Sequence, residues 1–203
     1  MPGYWLMKSE PDTFGIDDLV RVGVEPWTGV RNYTARNFMR DQMKVDDLAL
    51  FYHSSVDPPG VVGIARIART GVVDETQFDP ASPYYDPGSK RDAPRWICVD
   101  VAFVEKLPRQ VALDELRANP ALAGMLVLQR GMRLSVQPVS PAHYKAIVAM
   151  AKKPAPAAKA PAAKPAAKAP AKPAAKVRTA GKGPDRDRAP RSRGPARPKA
   201  RAR

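Results

Sequence analysis

The sequence predicts an α+β domain, a small and strongly curved mixed sheet or open barrel with flanking helices, followed by a disordered basic tail. Strand-like and helix-like stretches are mixed rather than cleanly alternating, with about five of the first and four of the second. Charge and composition also change abruptly. Residues 1–151 carry 17 basic and 18 acidic side chains, whereas residues 152–203 carry 17 and 2, so the net +14 of the chain belongs to its end. All 14 aromatic residues precede residue 152, and the last 52 residues contain 17 Ala, 17 Lys+Arg and 10 Pro. Such a segment cannot build a core. The preceding 151 residues suit one domain, which would bury about 68–70% of its unfolded surface.

Tyr4–Lys8 is a short aromatic-rich apolar run stopped by Ser9-Glu10-Pro11, which predicts a buried first strand and a sharp exit. Ile16, Leu19 and Val20 follow helical spacing, Asp17 and Asp18 suit the first turn, and Gly23 ends the helix. Glu25–Arg31 reads as a loop in which Trp27 and Arg31 stand out. Asn32 is placed to cap a helix carrying Ala35, Phe38, Met39 and Met43 on one side and ending near Lys44. Leu48–His53 reads as a strand buried on both faces, and Pro58-Pro59-Gly60 turns it into the β-branched run Val61–Arg69. Gln77–Arg95 is a long irregular stretch with the pair Tyr84-Tyr85, and loops of this length are usually functional. Trp96–Val104 is a strand, Leu113–Ala118 a short helix, and Gly131–Gln137 a further strand. Ser140-Pro141 supplies an N-cap and a first-turn proline for a closing helix, Ala142–Lys152, with Ile147, Val148 and Ala151 inward.

Several functions fall away. No apolar run approaches the roughly 18 residues of a membrane span, and Met1–Pro11 has polar interruptions where a signal peptide needs an apolar stretch. A soluble intracellular protein is expected. Cys98 is the single cysteine, and His53 and His143 stand in no paired ligand spacing, so no metal and no cofactor are expected. No phosphate-cradling glycine loop, nucleophile elbow or zincin helix occurs, and the deaminase pattern needs at least two cysteines. Catalysis is therefore the weaker reading.

Specific strings add more. Tyr4–Phe14, Trp27–Tyr33 with Ala35–Phe38, Leu50–Ser54, Pro59–Gly63, Phe78–Pro80 with Ser82–Pro87, Pro94–Trp96 and Arg133–Val139 run collinearly over residues 3–150. Together they resemble the EVE domain family. The resemblance implies a PUA-like fold related to the YTH domains that bind methylated adenine in RNA. It also implies a reader of modified bases, particularly modified cytosine in DNA, with residues 1–151 as the domain.

A pocket of that kind needs an aromatic face, polar groups for a base edge and cations for phosphate. The resemblance points to Trp27 for the face, with Tyr84 and Tyr85 as the opposite wall. Ser9, Asn32, Gln137 and His53 are candidates for the base, and Lys8 and Arg31 for phosphate. Each has an alternative. Trp27 pins its own loop, Asn32 only caps a helix, one tyrosine is core, and His53 is a satisfied half-buried histidine. Lys8 and Arg31 are solvated or pair with Glu10 and Asp12. Trp5 and Trp96 are assigned to the core, and Cys98 to an inert buried thiol.

The tail, residues 152–203, repeats Ala-Ala-Lys-Pro and Lys-Ala-Pro-Ala units with Lys159, Lys164, Lys168, Lys172 and Lys176 four or five apart. It resembles the tails of linker histones, and its prolines break any helix longer than a turn. A run of like charge without aromatics suits phosphate neutralisation and not base readout. The expected function is a non-catalytic, monomeric module that reads a modified base in nucleic acid, DNA more than RNA, with the tail adding non-specific affinity. A cytoplasmic, nucleoid-associated location is expected, or a nuclear one in a eukaryote. The alternatives are a protein-interaction scaffold whose tail alone binds nucleic acid, and an enzyme acting on modified nucleotides. A deep cleft beside Trp27 with unengaged polar groups separates a reader from a scaffold, whose interior would be filled.

Overall fold

The structure, a computed structural model, describes residues 2–155. The tail from residue 156 onward, with Lys159, Lys164, Lys168, Lys172 and Lys176, lies outside the described residues.

Six strands form one mixed sheet: β1 (Tyr4–Ser9), β2 (Val24–Pro26), β3 (Leu48–His53), β4 (Gly60–Val73), β5 (Ile97–Ala112) and β6 (Val136–Pro138), in the order β2-β5-β4-β3-β1-β6. Only the β1–β3 pair is parallel. The β4–β5 pairing shifts register at four places, and β3–β4 shifts once between Phe51 and Tyr52. Bulges of this kind bend a strand and increase its twist, which is how a short sheet becomes strongly curved.

Both faces of the sheet are covered, so its central strands are almost uninterruptedly apolar. On one face Trp5, Met7, Phe51, Ile67, Val99 and Val101 pack with Ile16 and Leu19 of α2 (Ile16–Val22) and with Ala35 of α3 (Tyr33–Asn37). On the other, Leu6, Leu50, Val61, Ile64 and Val111 pack with Leu116 of α4 (Leu113–Ala118) and with Tyr144 and Ile147 of α5 (Pro141–Ala151). Each fully buried side chain of this size contributes about 1.5–3 kcal/mol over leaving it in water. Gly63 lets α2 approach the sheet, because a Cβ there would stand 2.6 Å from Ile16 Cδ1.

Local chemistry starts the helices. Asp18 Oδ2 accepts from Gly15 N at 2.9 Å, Asn32 Oδ1 from Ala35 N at 3.1 Å, and Ser140 Oγ from His143 N at 3.1 Å. α3 continues into a π-helical turn, Phe38–Gln42, and the one-turn α1 (Pro11–Phe14) precedes α2. No helix of the described residues is long and apolar enough to cross a membrane.

Four expectations change, the first being that β4 runs on to Val73 where the β-branched run was expected to end at Arg69. Glu25 and Pro26, which open the stretch read as a loop, belong with Val24 to an edge strand paired to the far side of β5. Three residues ending in proline are too few to show a period. β5 runs to Ala112 rather than Val104, because Glu105, Lys106 and Pro108, which break its apolar pattern, project where the strand leaves the core. Gly131–Gln137 is strand only from Val136: Gly131 has φ +78 and the residues before it form 3₁₀ turns.

Candidate nucleic-acid interface

The two-residue period of β1 separates two cavities. Trp5 and Met7 belong to one core and Leu6 to the other, so Ser9 turns to the first face and Lys8 to the second. A cleft of about 470 Å³ lies beside the loop Trp27–Arg31, and a groove of about 550 Å³ beside the segment Val127–Arg133. Lys8 lines both.

Trp27 is 8% exposed and meets Phe51 edge-on, ring centroids 5.5 Å apart, while its backbone N–H donates to Val99 O at 2.8 Å. It pins the loop and also lines the cleft. Tyr84, 40% exposed, lines the same cleft. Gly29 has φ +79, and a Cβ there would sit 2.8 Å from the Tyr84 ring, so only glycine permits this approach. Tyr85 is equally exposed but does not line the cleft, which corrects the expectation that one of the pair is core.

A buried carboxylate holds the loop. Asp74 Oδ2 accepts from Gly29 N at 2.9 Å and Arg31 Nη1 at 2.7 Å, and Oδ1 accepts from Thr76 N and Thr76 Oγ1. Arg31 also donates to Tyr84 O and Thr76 Oγ1 and lies 5.5 and 5.1 Å from the ring centroids of Tyr84 and Trp96. Its donors are thus engaged in fixing the cleft wall; it is neither solvated nor paired with Glu10 or Asp12. Gln77 completes the brace, donating to Asp74 O and Trp96 O and accepting from Trp96 N and Ser89 Oγ.

Other polar groups remain open to a ligand. Ser9 Oγ donates to Phe14 O at 2.6 Å, which leaves it an acceptor in the cleft. Glu25 pairs in register with core residue Val101, so its side chain shares that face, where it lines the cleft. Neither its carboxylate nor the hydroxyls of Thr13 and Thr28 has a hydrogen-bond partner among the described residues.

The remaining candidates lie elsewhere. Asn32 is exposed, serves as the α3 cap and is outside the cleft lining. Gln137 is 1% exposed, donates to Leu134 O and lines neither cavity. His53 Nε2 accepts from Ile16 N at 3.1 Å, and burial lowers its pKa. Lys8 is half-buried with its pKa lowered by desolvation, and Nζ reaches only Met132 O, at 3.4 Å. Trp5 and Trp96 are buried, their Nε1 groups donating to Asp47 Oδ2 and Asp86 Oδ2. Burial pushes the Cys98 thiol up to about 12.

Sequence reasoning missed Asp74, Gln77 and Glu25. Asp74 and Thr76 form a local Asp-x-Thr turn that is legible, but the partner of Asp74, 43 residues away, is not.

The EVE domain model matches residues 3–150. The chain is 42% identical over 168 aligned residues to mouse thymocyte nuclear protein 1, covering 74% of each. A crystal structure of a Pseudomonas putida protein is 48% identical, covers 73% of this chain and 99% of that one, and superposes with a TM-score of 0.70. Human THYN1, crystallised in complex with 5-methylcytosine-containing DNA, is 38% identical over 75% of this chain and 99% of that one, with a TM-score of 0.71. The curved α+β sheet described above is the PUA-like fold of these structures. With the family match spanning residues 3–150 and the fold shared over about three quarters of the chain, this protein belongs to the EVE domain family.

Proposed function

We propose that the chain is a non-catalytic reader of a modified base in DNA, a methylated cytosine by the chemistry of its cleft. The observation that carries this reading is the cleft between Trp27 and Tyr84, braced by Arg31 and Asp74 yet retaining unengaged polar groups. The complex of human THYN1 with 5-methylcytosine DNA supports it. An unstacked base loses its neighbours at a cost of a few kcal/mol, and an aromatic wall returns about 1–3 kcal/mol per base. Tyr84 is the exposed ring able to stack, and Trp27 forms the apolar floor against which a methyl group fits. Glu25 accepts a hydrogen bond from the exocyclic amine of cytosine, a position at which thymine presents a carbonyl oxygen. The tail of residues 152–203 adds sequence-independent affinity through counterion release, and placement with the nucleoid or in a nucleus follows from that role.

The test is a binding panel of duplexes carrying cytosine, 5-methylcytosine, 5-hydroxymethylcytosine or thymine at one site. Wild type is expected to prefer a modified cytosine, and Tyr84→Ala to weaken that complex by about 5–150-fold, the equivalent of one lost stack. Removing residues 156–203 flattens the dependence of log Kd on log salt and leaves the preference in place. Equal affinity across the panel would overturn the reading.

A further inference from the structure

The groove beside Val127–Arg133 shares only Lys8 with the base-reading cleft, and its lining contains no carboxylate. Four cations do line it: Lys8, Arg117, Arg130 and Arg133. Arg117 pairs with Asp114 on its own helix at 3.0 Å. Arg130 and Arg133 are exposed, and among the described residues neither forms an ion pair or a side-chain hydrogen bond. Guanidinium groups usually find carboxylates on a near-neutral domain, and every other arginine of the described residues has a hydrogen-bonded partner, so two unengaged ones on one wall are set apart.

The groove is joined to the cleft. Lys8 lines both cavities, and the wall Gln129–Arg133 of the groove runs directly into Ser135, which lines the cleft and whose carbonyl accepts from Lys8 N at 2.8 Å. The two cavities therefore meet at Lys8. Burial lowers the pKa of Lys8, and an arriving phosphate favours its charged form. Arginine forks match phosphate oxygens bidentately.

We propose that this groove carries the sugar–phosphate backbone of the strand whose base enters the cleft, with Arg130 and Arg133 contacting the phosphates next to the modified nucleotide. The proposal rests on the base-reading assignment of the cleft. It is distinct from the contribution proposed for the tail, which is independent of sequence.

The experiment uses the full-length chain and a 12-base-pair duplex with one central 5-methylcytosine, in which single phosphates are replaced in turn by neutral methylphosphonates. Wild type is expected to lose affinity at one or two positions flanking the modified base. In R130Q/R133Q, whose thermal unfolding should match wild type because both side chains are exposed, that positional penalty disappears. The slope of log Kd against log salt falls by about 1 for each arginine removed, while the preference for 5-methylcytosine over cytosine is kept. A double variant with the wild-type slope and an intact positional penalty overturns the proposal. If wild type binds methylated and unmethylated duplexes equally while the variant still loses slope, the base-reading assignment fails and the backbone track stands.

Discussion

Two arginine sites on this small domain have opposite wiring. Arg31 donates to Asp74, Thr76, Val30 and Tyr84, and lies against two aromatic rings. Arg130 and Arg133, on the wall of the neighbouring groove, engage nothing among the described residues. The first arrangement converts charge into shape. It fixes a loop that sequence alone leaves free, at the cost of a cation that no longer serves a ligand. The second keeps its charge available and specifies little geometry. A reader of one base in a polymer needs both, a rigid cleft to discriminate and a compliant charged surface to hold the strand.

Breaking the wired site has the largest effect. Asp74→Ala removes the acceptor of Gly29 N, Arg31 and Thr76 together and leaves a largely buried guanidinium without its counter-charge. Loss of one partner from a buried pair costs about 3–5 kcal/mol, and thermal unfolding should fall by about 10 °C in a domain of this size. The R130Q/R133Q variant should stay within about 0.5 kcal/mol of wild type, as exposed substitutions do. If both variants unfold alike, the contrast between the two sites is false.

Glu25→Gln sharpens the same contrast from inside the cleft. The side chain has no protein partner among the described residues, so stability should be unchanged. An amide that can turn its donor or its acceptor to the base no longer discriminates by charge. The preference for modified cytosine over thymine should fall about tenfold, within the roughly 1–3 kcal/mol that one base contact is worth. An unchanged ratio in the binding panel would remove Glu25 from the site.

The divide between what the sequence shows and what it hides follows the range of each interaction. Caps are local, so Asn32 and Ser140 were legible from three or four neighbouring residues, and so were the apolar strands Leu48–His53 and Val61–Arg69. Trp27 and Tyr84 were legible as aromatics in loops, although only the structure shows that both line one cleft and that Tyr85 does not. The engagement of Arg31 was hidden, because Asp74 follows a strand 43 residues later. Glu25 was hidden for a different reason: its direction depends on the pairing of a three-residue edge strand too short to declare itself. Gln137, chosen for its donor and acceptor, lies opposite Leu6 in register and is carried to the far face of the sheet, away from the cleft. A choice by residue type carries no information on which face a strand presents.

His53 offers the smallest effect and a third kind of wiring, a titratable group engaged with a helix start. Nε2 accepts from Ile16 N, which requires the unprotonated ring, and burial lowers its pKa below the usual value near 6.5 despite the nearby Asp17. The unfolded chain therefore binds the proton more readily than the folded one. Stability from this site is fully present above the unfolded pKa and declines as pH falls below about 6.5 toward the folded value. His53→Gln keeps an acceptor and removes the titration. Chemical denaturation from pH 8 to pH 5 should show wild type losing stability faster than the variant below pH 6.5 and at the same rate above it. Parallel profiles over the whole range would mean that the Ile16 N–H bond does not depend on the charge of the ring. His53 would then rejoin the groups, like Arg130 and Arg133, whose charge is not committed to the fold.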